Sequence, residues 1–340
     1  MGFLKHIIRR LLISAISVFG IIVITFFLSR ALPGDPVWLR LPDKATLEDY
    51  YAERARLGLD KPIIYQFFVF MSDLLTGNWG FSYVVAKDAD VWYLIGFFLP
   101  RSLEVMLISM ALAMGLGILF GKISARRMNS IWDYMIRFFC YFIISIPAFV
   151  LIIFFVTLYV HTDFKIFPLY GYKTNYYPDP PRVTGFPLID SLLSGELYLF
   201  FDIVWHLIIP IATMTIVQMV AIIRQTRSSL LEIIQMDFIR TAKAKGLSNK
   251  TIINKHAMKL ALPPIITISA MGFPIVLGGM IAVEAAYHFV GIGYIFRSAL
   301  NKFDYTVIIA IIFILGVTVI SFNFITDVIN GFLDPRIRFK

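Results

Sequence analysis

The sequence predicts an all-α integral membrane protein with six transmembrane helices, and three observations support this fold class. Of its 340 residues, 59% are hydrophobic, and the mean hydropathy is +0.78, whereas soluble domains have an apolar share of about 45–50%. Six apolar stretches each supply the roughly 20 residues that a helix needs to cross a bilayer. Lysine and arginine are unevenly divided between the segments that join these stretches.

Each apolar stretch is bounded by polar or basic residues and is predicted as one membrane-spanning helix. The six stretches are residues 11–29, 103–121, 138–160, 205–223, 262–288 and 306–326. An even number of crossings places both termini on the same side. The first stretch follows basic residues, as a signal sequence would, but its apolar part is long and no small-residue cleavage site precedes Arg30. We therefore interpret it as a retained anchor.

The basic residues predict the orientation. Segments 1–10, 122–137, 224–260 and 327–340 carry 18 Lys and Arg in 77 positions, whereas the opposite segments carry 13 in 133 positions. The positive-inside rule then places both termini and the 224–260 loop in the cytoplasm, in a multi-pass protein of the cell membrane. The net charge of +9 fits this orientation and contact with headgroups, since no aromatic-basic pattern suggests a nucleic-acid surface.

We divide the chain into two parts. Residues 1–101 form the anchor helix and an external segment, and residues 102–340 form a five-helix core with a cytoplasmic loop at 224–260. The only cysteine, Cys140, lies in the third stretch, which excludes an internal disulfide and a structural metal site built on thiols.

Several features inside the core predict local structure. Gly117 and Gly121 permit close helix contact. Gly121-Lys122 is not part of a phosphate loop, because that motif needs Gly where Leu116 stands and Ser or Thr where Ile123 stands. The external segment 161–204 is rich in Pro, Gly and Tyr, and is predicted as a folded cap, with disorder as the alternative.

Residues 237–264, between the fourth and fifth stretches, read as two short basic helices joined at Gly246. A stripe of apolar residues spaced four apart defines the first helix: Leu230, Ile234, Phe238 and Ala242. Gly246 ends it, and Ser248 or Asn249 offers a cap for the second helix, roughly 250–260. The Pro263-Pro264 pair is predicted to separate that helix from the fifth membrane span.

The run Asp237-Phe-Ile-Arg-Thr-Ala-Lys-Ala-Lys-Gly246-Leu-Ser resembles the cytoplasmic EAA-type loop of ABC-importer permeases, in the version of the oligopeptide/dipeptide permease family. Arg240 and Thr241 stand where the general pattern has Glu and Ala, a departure that is usual in the peptide branch. Further matches to this family occur in the same order along the chain. They are Arg30-Ala-Leu-Pro-Gly-Asp-Pro36, Leu57-Gly-Leu-Asp-Lys-Pro62, Gly77-Asn-Trp-Gly-Phe-Ser82, Ser145-Ile-Pro147, the turn 291–305 and Asp334-Pro-Arg336.

The resemblance, to the first-permease or B-type branch, implies a type I ABC importer permease fold. It implies a related second permease, two ATPase subunits that hold ATP and magnesium, and an external solute-binding protein; no cofactor is expected on this chain. The loop would be a coupling helix that docks on an ATPase subunit. The residues assigned to it are Asp237, Phe238, Arg240, Thr241, Ala242, Lys243, Ala244, Lys245, Gly246 and Leu247.

Four residues are candidates for the translocation path. Ser145 and Pro147 form a possible hinge in the third span, and Asn323 lies near the end of the last span. Glu284, near the end of the fifth span, either snorkels to water or marks the solute path, since an intramembrane carboxylate is often functional. The sequence alone leaves these two roles for Glu284 open.

Other functions compete with the importer hypothesis. The loop at 237–264 has the amphipathic, basic character of a helix that lies on headgroups. A secondary transporter normally needs ionisable groups at mid-membrane or interrupted helices in an internal repeat, and neither is clear here. An intramembrane enzyme is disfavoured because HExxH and GxSxG are absent and five separated histidines have no ligand spacing. Peptides are the expected cargo, with oligosaccharides or nickel as alternatives.

Overall fold

The computed structural model describes residues 2–31, 37–38, 41–42, 44–161 and 166–333. The described residues form thirteen α-helices and one π-helical turn, Ile252–Ala257, between α10 and α11. The helices are α1 (Gly2–Ala31), α2 (Leu47–Arg56), α3 (Ile63–Thr76), α4 (Val91–Arg126), α5 (Ile131–Ser145), α6 (Ala148–His161), α7 (Pro187–Leu193), α8 (Leu197–Ile234), α9 (Asp237–Ala244), α10 (Asn249–Thr251), α11 (Met258–Ala286), α12 (Ile292–Lys302) and α13 (Tyr305–Leu333).

The predicted membrane spans are found in the structure. Five helical stretches of the described chain are long and apolar enough to cross a membrane, and the bent pair α5 and α6 raises the number to six. The predicted all-α membrane fold is therefore confirmed. The sequence motifs at residues 32–36 and 334–336 lie outside the described residues.

The third span, predicted for residues 138–160 with a hinge at Ser145 and Pro147, is broken at this proline. Its two halves, α5 and α6, meet at an angle of 97°. Ile146, which precedes Pro147, has the extended backbone angles φ −97° and ψ 122°. The proline ring disfavours the helical conformation of the residue before it, and here the helix ends at Ser145.

The Pro263-Pro264 pair does not separate two helices, which corrects a second prediction. The helix that follows the π-turn runs unbroken from Met258 to Ala286 and includes both prolines. Each proline leaves one carbonyl four residues earlier without its helical donor. These carbonyls belong to Lys259 and Leu260, which are exposed at one end of the bundle, so the helix continues at little cost.

Close contact between α4 and α8 forms the centre of the bundle. A Cβ atom at Gly117 would lie 2.6 Å from Ile222 Cγ2, and one at Gly121 would lie 2.6 Å from Thr226 Cβ. Because contacts advance in the same direction along both helices, α4 and α8 are parallel. The two glycines thus permit close packing, as the sequence predicts.

Both ends of the described chain lie at one end of the bundle. Arg10 in α1 forms an ion pair with Asp327 near the end of α13, with 3.0 Å between the charged atoms. Asn330, on the last turn of α13, donates a hydrogen bond of 3.0 Å to Thr267 in the early part of α11. Since α9 directly precedes α10 and α11, we call this end of the bundle the α9 end.

The predicted division between residues 101 and 102 falls inside α4, which continues through it. Pro100 is a residue of this continuous helix. Arg101 is 8% exposed and pairs with Asp179 at 3.1 Å, while its guanidinium lies 4.3 Å from the centre of the Phe97 ring. The charge that interrupts the hydropathy pattern is thus covered by the segment around Asp179, and the helix extends beyond the apolar stretch.

The described part of the segment predicted as a cap, residues 166–204, is folded. Asp190 in α7 is 2% exposed and accepts hydrogen bonds from the Thr184 amide, the Thr184 hydroxyl and the Gly185 amide at 2.7, 2.7 and 2.9 Å. Glu104 of α4 accepts a hydrogen bond of 3.0 Å from the amide of Leu188. These bonds hold the cap on the bundle, which favours the folded alternative over disorder.

Candidate functional site

The segment between α8 and α11 forms a short helix, α9, that is separate from α8. Met236 precedes α9 with an extended backbone, ψ 149°, so the chain changes direction after Ile234. The single stripe predicted through Leu230, Ile234, Phe238 and Ala242 is therefore wrong, because the break places its two halves on different helices.

The inner face of α9 packs on the bundle. Ile239 is fully buried and Ala242 is 9% exposed, and both belong to a cluster with Leu230, Ile233 and Ile252. Burying an isoleucine side chain stabilises by about 1.5–3 kcal/mol, so α9 is held to α8 and to the π-turn by its own side chains.

The outer face of α9 is exposed and mainly basic. Phe238 is 40% exposed, and the remaining residues of the predicted coupling segment apart from Ala242 are exposed as well. Arg240 and Asp237 form an ion pair of 3.2 Å whose side chains are 78% and 92% exposed, so the pair adds little stability. The exposed face therefore presents an aromatic ring among positive charges. It comprises Asp237, Phe238, Arg240, Thr241, Lys243, Ala244, Lys245, Gly246 and Leu247.

A specific turn ends α9. Gly246 has φ +77°, the Leu247 amide donates to the Ala242 carbonyl at 3.3 Å, and the Gly246 amide donates to the Lys243 carbonyl at 2.9 Å. This pair of bonds is a Schellman motif, which needs a left-handed residue. Ser248 then accepts a hydrogen bond of 3.3 Å from the Thr251 amide, so the predicted glycine turn and serine cap are confirmed.

Behind α9, a buried carboxylate joins α5 to α8. Asp133, fully buried in the first turn of α5, accepts hydrogen bonds from Arg227 Nε and Nη2 at 2.9 and 3.0 Å. It also accepts from the Ser124 hydroxyl at 2.5 Å and the Asn129 amide at 3.1 Å. Such a two-pronged pair fixes geometry as well as supplying energy. Sequence reasoning missed it; the only signal was one carboxylate inside the basic segment 122–137.

The predicted path residues do not form one site. Ser145 and Pro147 are exposed at the break between α5 and α6, where the Ser145 hydroxyl donates to the Tyr141 carbonyl at 2.8 Å. Asn323 is exposed and lines a cavity of about 510 Å³ between α1, α11 and α13. No hydrogen bond joins any two of the four predicted residues.

Glu284 is fully buried, so it does not snorkel to water. One of its oxygens accepts a short hydrogen bond from the Ser102 hydroxyl, and the other accepts from the Tyr294 amide at 2.8 Å. The Ser102 hydroxyl also accepts from the Ile292 amide at 2.8 Å. Glu284 and Ser102 therefore cap the first turn of α12, where free amides favour a carboxylate. A Cβ at Gly291 would lie 2.5 Å from this carboxylate.

No group of three or more His, Cys, Asp or Glu side chains in the described ranges is arranged to hold a metal ion.

Two families of known proteins match the chain. The family described as "Binding-protein-dependent transport system inner membrane component" matches residues 113–339. A second family, described as "Binding-prot-dependent transport system membrane comp, N-term", matches residues 3–89. Together the two matches cover residues 3–89 and 113–339.

Curated relatives resemble the chain over almost its full length. The di/tripeptide transport system permease protein DppB of Pseudomonas aeruginosa (strain UCBPP-PA14) is 34% identical over 98% of this chain and 99% of its own. The oligopeptide transport system permease protein AppB of Bacillus subtilis (strain 168) is 33% identical over 98% of this chain and 99% of its own. The dipeptide transport system permease protein DppB of Escherichia coli (strain K12) is 31% identical over 99% of each chain.

The fold is also similar to a solved structure. A chain of the MetNI methionine ABC transporter, from a study of its inward facing conformations, superposes with a TM-score of 0.51 at 18% identity. The match covers 71% of this chain and 97% of the other. This likeness concerns the fold, and together with the family match it confirms the expected permease fold. The chain is a multi-pass membrane protein that belongs to the family of binding-protein-dependent transport system inner membrane components.

Proposed function

We propose that the chain is one of two permease subunits of an ATP-driven importer for di- or oligopeptides. A related permease would complete the path, an external binding protein would deliver the peptide, and two ATPase subunits would bind ATP and magnesium and hydrolyse the ATP. The family and the peptide-permease names of relatives similar over nearly the full length support this proposal.

The observation that carries the coupling role is the two-sided construction of α9. Ile239 and Ala242 anchor it to the bundle while Phe238 and the basic residues are exposed. An exposed aromatic side chain among cations suits a groove with an apolar floor and acidic rim on a partner. Of the residues assigned to the contact from sequence, Ala242 would support α9 from inside rather than touch the partner.

Coupling requires that movement of α9 reach the membrane helices. The buried side chains of α9 contact the last turns of α8 and the π-turn before α11, and Asp133 connects α8 to α5. A displacement of α9 by a closing ATPase dimer would therefore move packed helices together, as rigid elements transmit motion better than a loose loop.

The orientation follows from the charge distribution. The basic segments all belong to the α9 end of the proposed topology, so that this end would face the cytoplasm with both termini. The opposite end, with the segments 44–90 and 166–196, would face the external binding protein. An epitope or labelling map that finds α9 accessible only from outside would overturn this orientation.

The coupling role is tested by ATPase activity of the complex reconstituted in lipid. Phe238→Asp places a charge in the exposed apolar contact, and we expect it to abolish assembly or cargo-stimulated hydrolysis while the chain still inserts. Met128→Asp is the matched control, because Met128 is 56% exposed between α4 and α5 at the same end but outside α9. Normal assembly and hydrolysis with Phe238→Asp would show that α9 is only a surface helix.

The cargo is tested separately, by uptake into the same vesicles. We expect a labelled di- or oligopeptide to accumulate in an ATP-dependent manner. Accumulation of an oligosaccharide or nickel, but not of peptide, would show that peptide is not the cargo. The importer proposal would remain intact. Uptake driven by an ion gradient without ATP would instead support a secondary transporter.

A further inference from the structure

Three arginine side chains from two helices line one small cavity near the α9 end. Arg137 projects from α5, and Arg224 and Arg227 project from α8, into a space of about 200 Å³. Ser124 and Tyr141 also line it. None of these arginines is part of the contact proposed for α9.

The carboxylate beside the cavity neutralises only one of these charges. Asp133 is saturated by Arg227, by Ser124 and by the Asn129 amide. Arg137 Nε lies 3.9 Å from Asp133 Oδ2, which is too long for a hydrogen bond. This nitrogen is buried and has no hydrogen-bond partner, so a donor near the cavity lacks the acceptor that buried polar groups normally have.

Arg224 is exposed and forms no ion pair with any residue in the described part of the chain. With three guanidinium groups and one carboxylate, the surroundings of the cavity carry two uncompensated positive charges. Guanidinium groups present paired donors that match the oxygens of a phosphate. The cavity therefore combines excess positive charge with one buried donor, Arg137 Nε, that lacks an acceptor.

We propose that this cavity binds the phosphate group of an anionic ligand. Arg137 and Arg224 would contact the phosphate, while Asp133 holds Arg227 behind them. The cavity volume of about 200 Å³ is large enough for a phosphate group but too small for a peptide. A phosphate between these side chains would link α5 to the part of α8 that leads into α9.

An anionic phospholipid and free phosphate share this chemistry. The position of the cavity, where the apolar parts of α5 and α8 meet the basic segments, is the level at which headgroups lie. The rim residue Tyr141 is 61% exposed and has the amphipathic character of side chains found at this level. A lipid headgroup is therefore the expected source.

The test compares thermal unfolding of the full-length chain in vesicles of phosphatidylcholine, of phosphatidylcholine with phosphatidylglycerol, and of phosphatidylcholine with added inorganic phosphate. We expect phosphatidylglycerol to raise the unfolding midpoint. Arg224→Gln should lose at least half of that rise, and it is the variant of choice because Arg224 is exposed and pairs with no carboxylate of the described residues. Arg126→Gln, which removes an exposed arginine from the neighbouring basic segment outside the cavity, should keep the rise.

Each outcome decides the proposal. A rise with inorganic phosphate that is lost in Arg224→Gln supports the site and identifies a free anion as its ligand. An equal rise in the wild type, Arg224→Gln and Arg126→Gln would mean general attraction to the membrane surface and would overturn the site. The site would also be overturned if neither phosphatidylglycerol nor inorganic phosphate raised the unfolding midpoint.

Discussion

The Ser82 hydroxyl donates a hydrogen bond of 2.7 Å to Asp304 Oδ2, across 222 positions of the chain. Asp304 is fully buried. The same oxygen accepts three consecutive backbone amides at 3.1, 3.1 and 3.2 Å, those of Tyr83, Val84 and Val85. This carboxylate therefore fastens the segment between α3 and α4 to the turn between α12 and α13, and explains why a serine ends the motif Gly77–Ser82.

Removal of Asp304 should strongly destabilise the protein. Asp304→Ala leaves a buried hydroxyl and three amides without their acceptor, and each unsatisfied buried group costs about 1–3 kcal/mol. We expect the free energy of unfolding in detergent to fall by about 3 kcal/mol or more, and by about 1 kcal/mol for Ser82→Ala. Asp60→Asn is the control, since Asp60 forms only an exposed ion pair with Lys61. Equal stability of Asp304→Ala and the control would refute the role of Asp304 as an anchor.

The contact between α4 and α8 should not tolerate one added methyl group. A Cβ at Gly121 would lie 2.6 Å from Thr226 Cβ and 2.8 Å from the Ile223 carbonyl oxygen. Because backbone must shift, we expect Gly121→Ala to lower the unfolding free energy by about 1–3 kcal/mol. Gly115→Ala, on the same helix but with no atom within 4 Å of the added Cβ, should be neutral or stabilising. Equal unfolding free energies of Gly121→Ala and Gly115→Ala would contradict the close contact at Gly121.

The stability of the turn after α9 should depend on the backbone conformation of Gly246 and not on the room for a side chain there. A Cβ at Gly246 meets no atom within 4 Å, but the residue has φ +77°, which costs an L-residue about 1–2 kcal/mol. Gly246→Ala should therefore increase amide hydrogen exchange within α9, and Gly246→Pro should do so more strongly. Gly279→Ala, which has equal space and no positive φ, controls for the added methyl. Unchanged exchange in Gly246→Pro would contradict the turn's role.

Signals that depend on a few neighbouring residues were read correctly from the sequence. The apolar stretches predicted the spans, Gly246 and Ser248 predicted the turn after α9, and Gly117 with Gly121 predicted close helix contact. In each case the signal lies in one continuous stretch of the chain. Proline was less reliable, since Pro147 ends a helix whereas Pro263 and Pro264 do not. The exposure of Lys259 and Leu260 before the latter pair is set by the fold, which a sequence window does not contain.

The partners of buried polar groups were not predictable in this way. Asp133 pairs with Arg227 across 94 positions, and Glu284 meets Ser102 across 182. Helix packing brings these residues together, and no local pattern encodes it. Ile239 was missed for a related reason, because a stripe with a spacing of four assumes that α8 continues through Gln235. The break there turns Ile239 inward and leaves Phe238 exposed.

The folded cap should lose stability in acid through Asp190. Burial tends to raise the pKa of this carboxyl, but hydrogen bonds from Thr184 and Gly185 outweigh it and hold the pKa below its ordinary value of 3.8. A carboxyl with a lowered folded-state pKa stabilises above its unfolded pKa, and this contribution disappears as the pH falls through the folded value. The stability difference between the wild type and Asp190→Asn should therefore be constant near neutral pH and shrink below about pH 4. Thermal unfolding of both proteins over this range measures the difference, and a difference independent of pH would show that the Asp190 hydrogen bonds do not favour its ionised form.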